Sequence, residues 1–93
     1  MKELLKKGQI CFSKAGHDKG GAFIILHSDD KYAYIADGKL RTLEKPKKKK
    51  RIHIQISNEV NSEIENMLEN ELYINDSHIR KALAKYNKIL TEY

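Results

Sequence analysis

The sequence lacks tryptophan altogether, has one proline and one cysteine, and contains no apolar run longer than five residues, as at Ala22 to Leu26. A helix that spans a bilayer needs about 20 apolar residues, so no segment qualifies and no membrane partner is expected. The start, Met1 to Lys7, is charged and has neither the apolar stretch nor the small-residue cleavage site of a signal peptide, which places the chain in the cytoplasm as an expectation. The lone Cys11 has no internal disulfide partner and, between Ile10 and Phe12, reads as a small buried residue. His17, His27, His53 and His78 are too scattered to form a ligand set, so neither a metal nor any other cofactor is expected. Nucleophile elbows, paired carboxylates in a plausible pocket and His–Cys or His–Ser spacings are likewise missing, so the chain is not expected to be an enzyme. With 93 residues, it has room for one small domain and an appendage.

Charge is what the chain has in abundance. Eighteen Lys and Arg against 13 Asp and Glu give a net charge of +5. The distribution is uneven: residues 1–57 hold 14 cations against 6 acids, a balance of +8, and residues 58–93 hold 4 against 7, a balance of −3. A positive field concentrated in one half of so short a chain attracts polyanions, phosphate backbones above all. Its peak is Lys45-Pro46-Lys47-Lys48-Lys49-Lys50-Arg51. Like charges at this spacing repel and proline disfavours helix, so the segment is expected to be an extended, solvated loop.

Before residue 57 the punctuation is that of short strands. Gly8, Gly16, Gly20, Gly21 and Gly38 separate runs rich in Ile, Phe and Tyr. Strands are predicted at Gln9 to Lys14, Ala22 to Ser28, Lys31 to Ala36, Leu40 to Glu44 and Ile52 to Ile56, with a tight Asp37-Gly38 hairpin turn between the third and fourth. Five short strands suggest a small, strongly curved sheet or barrel that protects its own edges. From Ser57 the period changes to that of helices. Val60, Ile64, Met67, Leu68 and Leu72 form one stripe, with Ser57 or Asn58 as cap. Ile79, Leu83, Tyr86, Leu90 and Tyr93 form a second, capped by Asp76 or Ser77. The expected organisation is a barrel over residues 1–57 and a helical extension over residues 58–93.

Several features carry a family resemblance. Lys7-Gly8-Gln9-Ile10 is followed by Gly16-His17-Asp18-Lys19-Gly20, a strand from Phe23, Ala36-Asp37-Gly38-Lys39, and a Pro46-Lys47-Lys48-Lys49 run leading into Arg51-Ile52-His53-Ile54. This order resembles the KOW domain, in particular the large-subunit ribosomal KOW proteins of archaea and eukaryotes and their short bacterial relatives. The resemblance covers roughly residues 7–57, and Ile79-Arg80-Lys81-Ala82-Leu83 looks like the tail of the short bacterial proteins. Many KOW sequences carry a further glycine a few residues beyond the loop, where this chain has Gly21 early. The family likeness implies an SH3-like β-barrel; with the five strands and the two helical stripes read above, the expected fold is mainly β, a five-stranded barrel with two short helices after it. It also implies a non-catalytic partner of structured, ribosomal RNA and an association with the ribosome or translation.

The residue-level logic agrees with that implication. Gly16 and Gly20 frame a loop whose backbone can approach a sugar-phosphate chain closely, and His17 sits inside it. Lys14, Lys19, Lys39, Arg41, Lys45, Lys47, Lys48, Lys49, Lys50 and Arg51 supply counter-charge. If each of the six cations of the basic run met one phosphate, together they would contribute about −4 to −5 to the log–log salt slope of binding. A Lys-rich run is also what a solvated loop or a nuclear-import address looks like, and duplex DNA would see the same charges. Tyr32 and Tyr34 share a side of their strand and suit either the core rim or base stacking. The rival reading is a protein-interaction module that docks on ribosomal or transcription proteins, with the helix stripes as docking or dimer face.

Overall fold

A computed structural model describes residues 5–14, 16 and 20–91. Five strands, β1 (Gln9–Ser13), β2 (Ala22–Ser28), β3 (Tyr32–Ala36), β4 (Lys47–Lys50) and β5 (Ile54–Val60), form one antiparallel sheet in the order β4-β3-β2-β1-β5. A 3-10 turn, Arg51–His53, joins β4 to β5, and two helices follow, α1 (Ser62–Glu69) and α2 (Asp76–Thr91). The architecture is mainly β with a helical tail. Among the described residues, β4 and β5 are edges of an open sheet rather than neighbours in a closed barrel.

Strand alternation sends side chains to two faces, and each face is buried by different means. Ile10, Ala22 and Ile24 form one core with Ile64 of α1 and with Ile79 and Leu83 of α2. Cys11, Phe23, Ile25, Ala33, Ile35 and Ile54 form a second core on the opposite face, with Leu5 and Ile56 against it. The helix stripes therefore lie on the sheet. At a typical 1.5 to 3 kcal/mol per fully buried aliphatic side chain, Ile64, Ile79 and Leu83 stabilise the domain substantially.

The first three strands stand where periodicity places them, but the fourth does not. Residues 40–44 run as an irregular loop, in which the N–H groups of Arg41 and Leu43, like those of the flanking Lys39 and Lys45, find side-chain acceptors instead of a neighbouring strand. The Asp37 carboxylate accepts from the N–H groups of Lys39 and Arg41 at 2.8 and 2.9 Å. The Leu43 N–H donates to Asp76 Oδ1 at 2.8 Å, and Lys45 N–H to Thr42 Oγ1 at 3.1 Å. Asp37-Gly38 does form a turn, with Gly38 at φ +80°, but that turn docks on α2. Arg80 Nη1 donates to the Gly38 carbonyl at 2.6 Å.

The strand that replaces it is the lysine run itself, which corrects the expectation of a solvated loop. Pairing with β3 takes up the backbone groups on one side of the strand, and alternation places neighbouring lysines on opposite faces, which relieves the repulsion a loop reading assumes. The last strand and the helices shift too. Ile52 lies on the 3-10 turn, and β5 runs on through Ser57 to Val60 because Ser57 Oγ donates to the Ile10 carbonyl at 2.8 Å and Val60 pairs with Gln9. Asn61, rather than Ser57 or Asn58, caps α1, its side chain accepting from the Ile64 N–H at 2.9 Å. Asn75 similarly accepts from the His78 N–H at 3.2 Å, which leaves the Asp76 carboxylate for Leu43. Leu72 falls beyond α1 and is about half exposed.

Candidate nucleic-acid interface

The positioning begins at the β2–β3 turn. Asp29 Oδ1 accepts from the N–H groups of Tyr32 and Lys31 at 2.7 and 2.9 Å. These two donors, in that order, hold the Asp29 carboxyl below its ordinary pKa. The turn delivers Tyr32 into β3 with its ring on the helix-bearing face, two residues before Tyr34. Register then sets Lys50 opposite Tyr32 and Lys48 opposite Tyr34, on the same face. A bulge in β2 between Ile25 and His27 brings His27 opposite Tyr34, and the two rings stack with centroids 4.2 Å apart and planes 18° from parallel. The Lys48 ammonium lies 4.4 Å from the Tyr32 ring centroid. Both tyrosines are half-buried, at the rim rather than in the core, while His27, Lys48 and Lys50 are exposed. The β3–β4 end of this face thus presents two cations among three aromatic rings.

The other two lysines of β4 point the opposite way. Lys47 is half-buried opposite Ile35, and Lys49 is only 8% exposed, its stem lying with Ala33 over the second core. Lys49 is engaged within the chain. It also reaches the glycine-framed loop: a Cβ on Gly16 would lie 3.5 Å from Lys49 Nζ. The curvature of the sheet therefore brings together the Gly16 loop and the lysine strand, which are 33 positions apart in sequence numbering (49 against 16). Gly16 and Gly20 both have positive φ, +79° and +86°, and a Cβ on Gly20 would touch nothing. Lys14 is exposed, and its N–H donates to the His53 carbonyl at 2.8 Å, which ties the start of this loop to the 3-10 turn. His17 and Lys19 lie outside the described residues.

The remaining predicted cations scatter. Lys39 and Arg41 occupy the turn beyond Ala36, at the opposite end of β3 from Tyr32 and Lys50, and Lys45 is exposed on the loop that leads to β4. Arg51 is half-buried. Its N–H donates to the Lys31 carbonyl at 2.8 Å, and its Nη1 donates to the Asp29 carbonyl at 3.3 Å.

A cleft of about 520 Å³ opens beside this cluster, walled by Lys31, Tyr32, Lys50, Arg51, Ile52 and Ile56. Sequence reasoning missed His27 and Ile52 as members of the surface. The β2 bulge that aims His27 leaves no mark in the sequence, and Ile52 reads as one more apolar position of an alternating strand. Among the described residues no helix is long and apolar enough to cross a membrane, and no group of three His, Cys, Asp or Glu converges on a metal position. In comparisons with known proteins, no family model matches the chain and no curated sequence matches it.

Proposed function

We propose that this chain is a non-catalytic RNA-binding protein of the KOW type, cytoplasmic and associated with the ribosome or translation, that holds structured RNA by its phosphate backbone. The observation that carries the reading is the lysine strand. Lys48 and Lys50 stand exposed beside Tyr32, Tyr34 and His27 on one face, where phosphates and sugar edges can meet cations and flat rings together. The open, positively charged edge also suits a polyanion better than an apolar ligand. In this reading the strand order, with its 3-10 link from β4 to β5, belongs to an SH3-like barrel whose curvature brings Gly16 to Lys49.

Binding of the full chain to a ribosomal hairpin, measured in dilute buffer and again with added salt, tests this. Retention that fades as salt rises is expected, and absence of retention in dilute buffer refutes it. A ribosomal hairpin should compete better than duplex DNA of equal length.

A second reading, docking on a ribosomal or transcription protein, draws on a separate observation: Leu40, Leu72 and Tyr73 are 83%, 49% and 79% exposed. Since Ile64, Ile79 and Leu83 are already buried against the sheet, such a docking face would draw, among the described residues, on these three exposed side chains rather than on the buried part of the helix stripes. A complex made this way would persist in salt and fail on Tyr73→Ser.

A further inference from the structure

The cleft beside β4 has a composition that phosphate binding alone does not call for. Tyr32 forms one wall, with the Lys48 ammonium already over its ring at 4.4 Å. Across from the strand, Ile52 stands on the 3-10 turn with 73% of its surface in water. Exposed aliphatic residues are common singly, but this one lines a concave site with an aromatic ring and a second isoleucine, Ile56. The turn that holds it is anchored at its start by the Arg51 N–H on the Lys31 carbonyl and Arg51 Nη1 on the Asp29 carbonyl, and at its end by the Lys14 N–H on the His53 carbonyl. Lys31, Lys50 and Arg51 surround these apolar walls against a single acid, Asp30, leaving the lining at +2.

We infer that this cleft receives one unpaired nucleotide of the bound RNA, its base between the Tyr32 ring and the Ile52 side chain and its flanking phosphates on Lys31 and Lys50. The inference rests on the proposed function and refines it by naming the part of the RNA that enters. Three properties fit that occupant. The volume, about 520 Å³, lies in the roughly 300 to 1,000 Å³ range of small-ligand sites, enough for a single nucleotide. A flat ring beside an aliphatic wall accepts any base by stacking, without reading its edge. The cations continue the line of Lys48 and Lys50 along β4, so a strand held there by its phosphates passes the opening. Unpaired bases in loops and bulges are the parts of folded RNA that can be splayed out in this way.

The test compares two hairpins with the same stem, one fully paired and one carrying a single bulged nucleotide, against the full wild-type chain and its Ile52→Ala variant. The wild type should bind the bulged hairpin on the order of 10-fold more tightly than the paired one, the size of one stacked base. Ile52→Ala should lose most of that preference, its affinity for the bulged hairpin falling toward its affinity for the paired one. Because Ile52 is mostly exposed, this substitution leaves the cores intact, and unchanged thermal unfolding verifies it. Equal affinity of the wild type for both hairpins overturns the cleft assignment and leaves phosphate binding standing. Preference retained in Ile52→Ala also overturns it. No binding to either hairpin at low salt removes both readings. Perturbation of the Ile52 methyl resonances by a polyglutamate peptide, but not by the bulged hairpin, overturns the assignment in favour of a protein ligand.

Discussion

If β4 meets phosphate, its four lysines should contribute unequally. Lys48 and Lys50 are exposed on the face shared with Tyr32 and Tyr34, whereas Lys49 is 8% exposed on the other face and engaged within the chain. Each phosphate contact contributes roughly 0.7 to 0.9 to the salt slope, so Lys48→Gln with Lys50→Gln should reduce its magnitude by about 1.4 to 1.8. That is far less than the value of about 4 to 5 expected if all six cations of a flexible run found phosphates. Lys49→Gln should leave the slope where it was. Its cost should appear in folding, because the substitution shortens a stem that covers the second core. Fluorescence anisotropy with a labelled ribosomal hairpin, repeated over roughly 50 to 200 mM salt, supplies the slopes, and urea unfolding of the same proteins supplies the stabilities. An unchanged slope in the double variant refutes the assignment of these two lysines. A fall as large in Lys49→Gln as in the double variant refutes the alternation argument itself.

Four further outcomes follow from the fold. Gly38→Ala should destabilise by about 2 to 5 kcal/mol in urea unfolding, because alanine at φ +80° is strained and its Cβ would lie 2.6 Å from the Asp76 carbonyl oxygen and 2.8 Å from Arg80 Cγ; a loss under about 1 kcal/mol would contradict the docking of this turn on α2. Glu71→Gly should stabilise by roughly 0.5 to 1 kcal/mol, since exposed Glu71 sits at φ +52° just after α1, where the Leu72 N–H closes on the Met67 carbonyl at 2.9 Å; thermal unfolding reads the gain. The Cys11 thiol, fully enclosed and pushed up to about 12 by burial, should react with a disulfide reagent at pH 8 only as fast as the protein opens, and labelling faster than unfolding would refute its burial. The Asp29 carboxyl titrates lower in the folded chain than in the unfolded one. Its contribution is therefore complete above the unfolded pKa and is lost as pH falls through the folded pKa. Asp29→Asn should remove that part of the acid dependence of stability and leave neutral-pH folding cooperative.

What the sequence discloses and what it hides divide along physical lines. Gln9–Ser13, Ala22–Ser28 and Tyr32–Ala36 are legible because β-branched and aromatic residues between glycine turns have few alternatives to a strand. The helix stripes are legible for the same kind of reason, since Ile64, Ile79 and Leu83 are buried at the spacing that their period requires. The exchange between residues 40–44 and Lys47–Lys50 is not legible. It depends on where Asp76, some thirty residues later, places its carboxylate, and on β3 offering an open edge to whatever follows. Four consecutive lysines have poor strand propensity, and only the pairing supplied by Tyr32 to Ile35 overrides it. For the candidate site, the cations could be counted in advance but not sorted. Charge counting treats Lys48 and Lys49 alike, whereas the pleat puts one in water and the other over the core.

A lysine-rich edge strand also has a purely structural explanation, since charged side chains on an edge discourage pairing with another molecule. The two edges of this sheet allow that explanation to be weighed. β5, the opposite edge, carries no lysine: its outward positions include Gln55, Asn58 and Glu59, and its end is irregular where the pairing with β1 slips between Gln9 and Cys11. Edge protection is thus achieved there with polar residues and a bulge. β4 needs no more than this, yet it gathers four cations, sets Lys48 against Tyr32, and faces His27 stacked on Tyr34. Protection of a four-residue edge would be served as well by glutamates as by lysines, whereas attraction of phosphate depends on the sign. Replacing Lys48 and Lys50 by Glu therefore separates the two roles. If the lysines only guard the edge, the variant should keep the wild type's oligomeric state and whatever RNA affinity the wild type has. If they hold phosphate, it should keep the wild type's oligomeric state and lose RNA affinity by more than the Gln double variant does, because repulsion is added to the lost contacts.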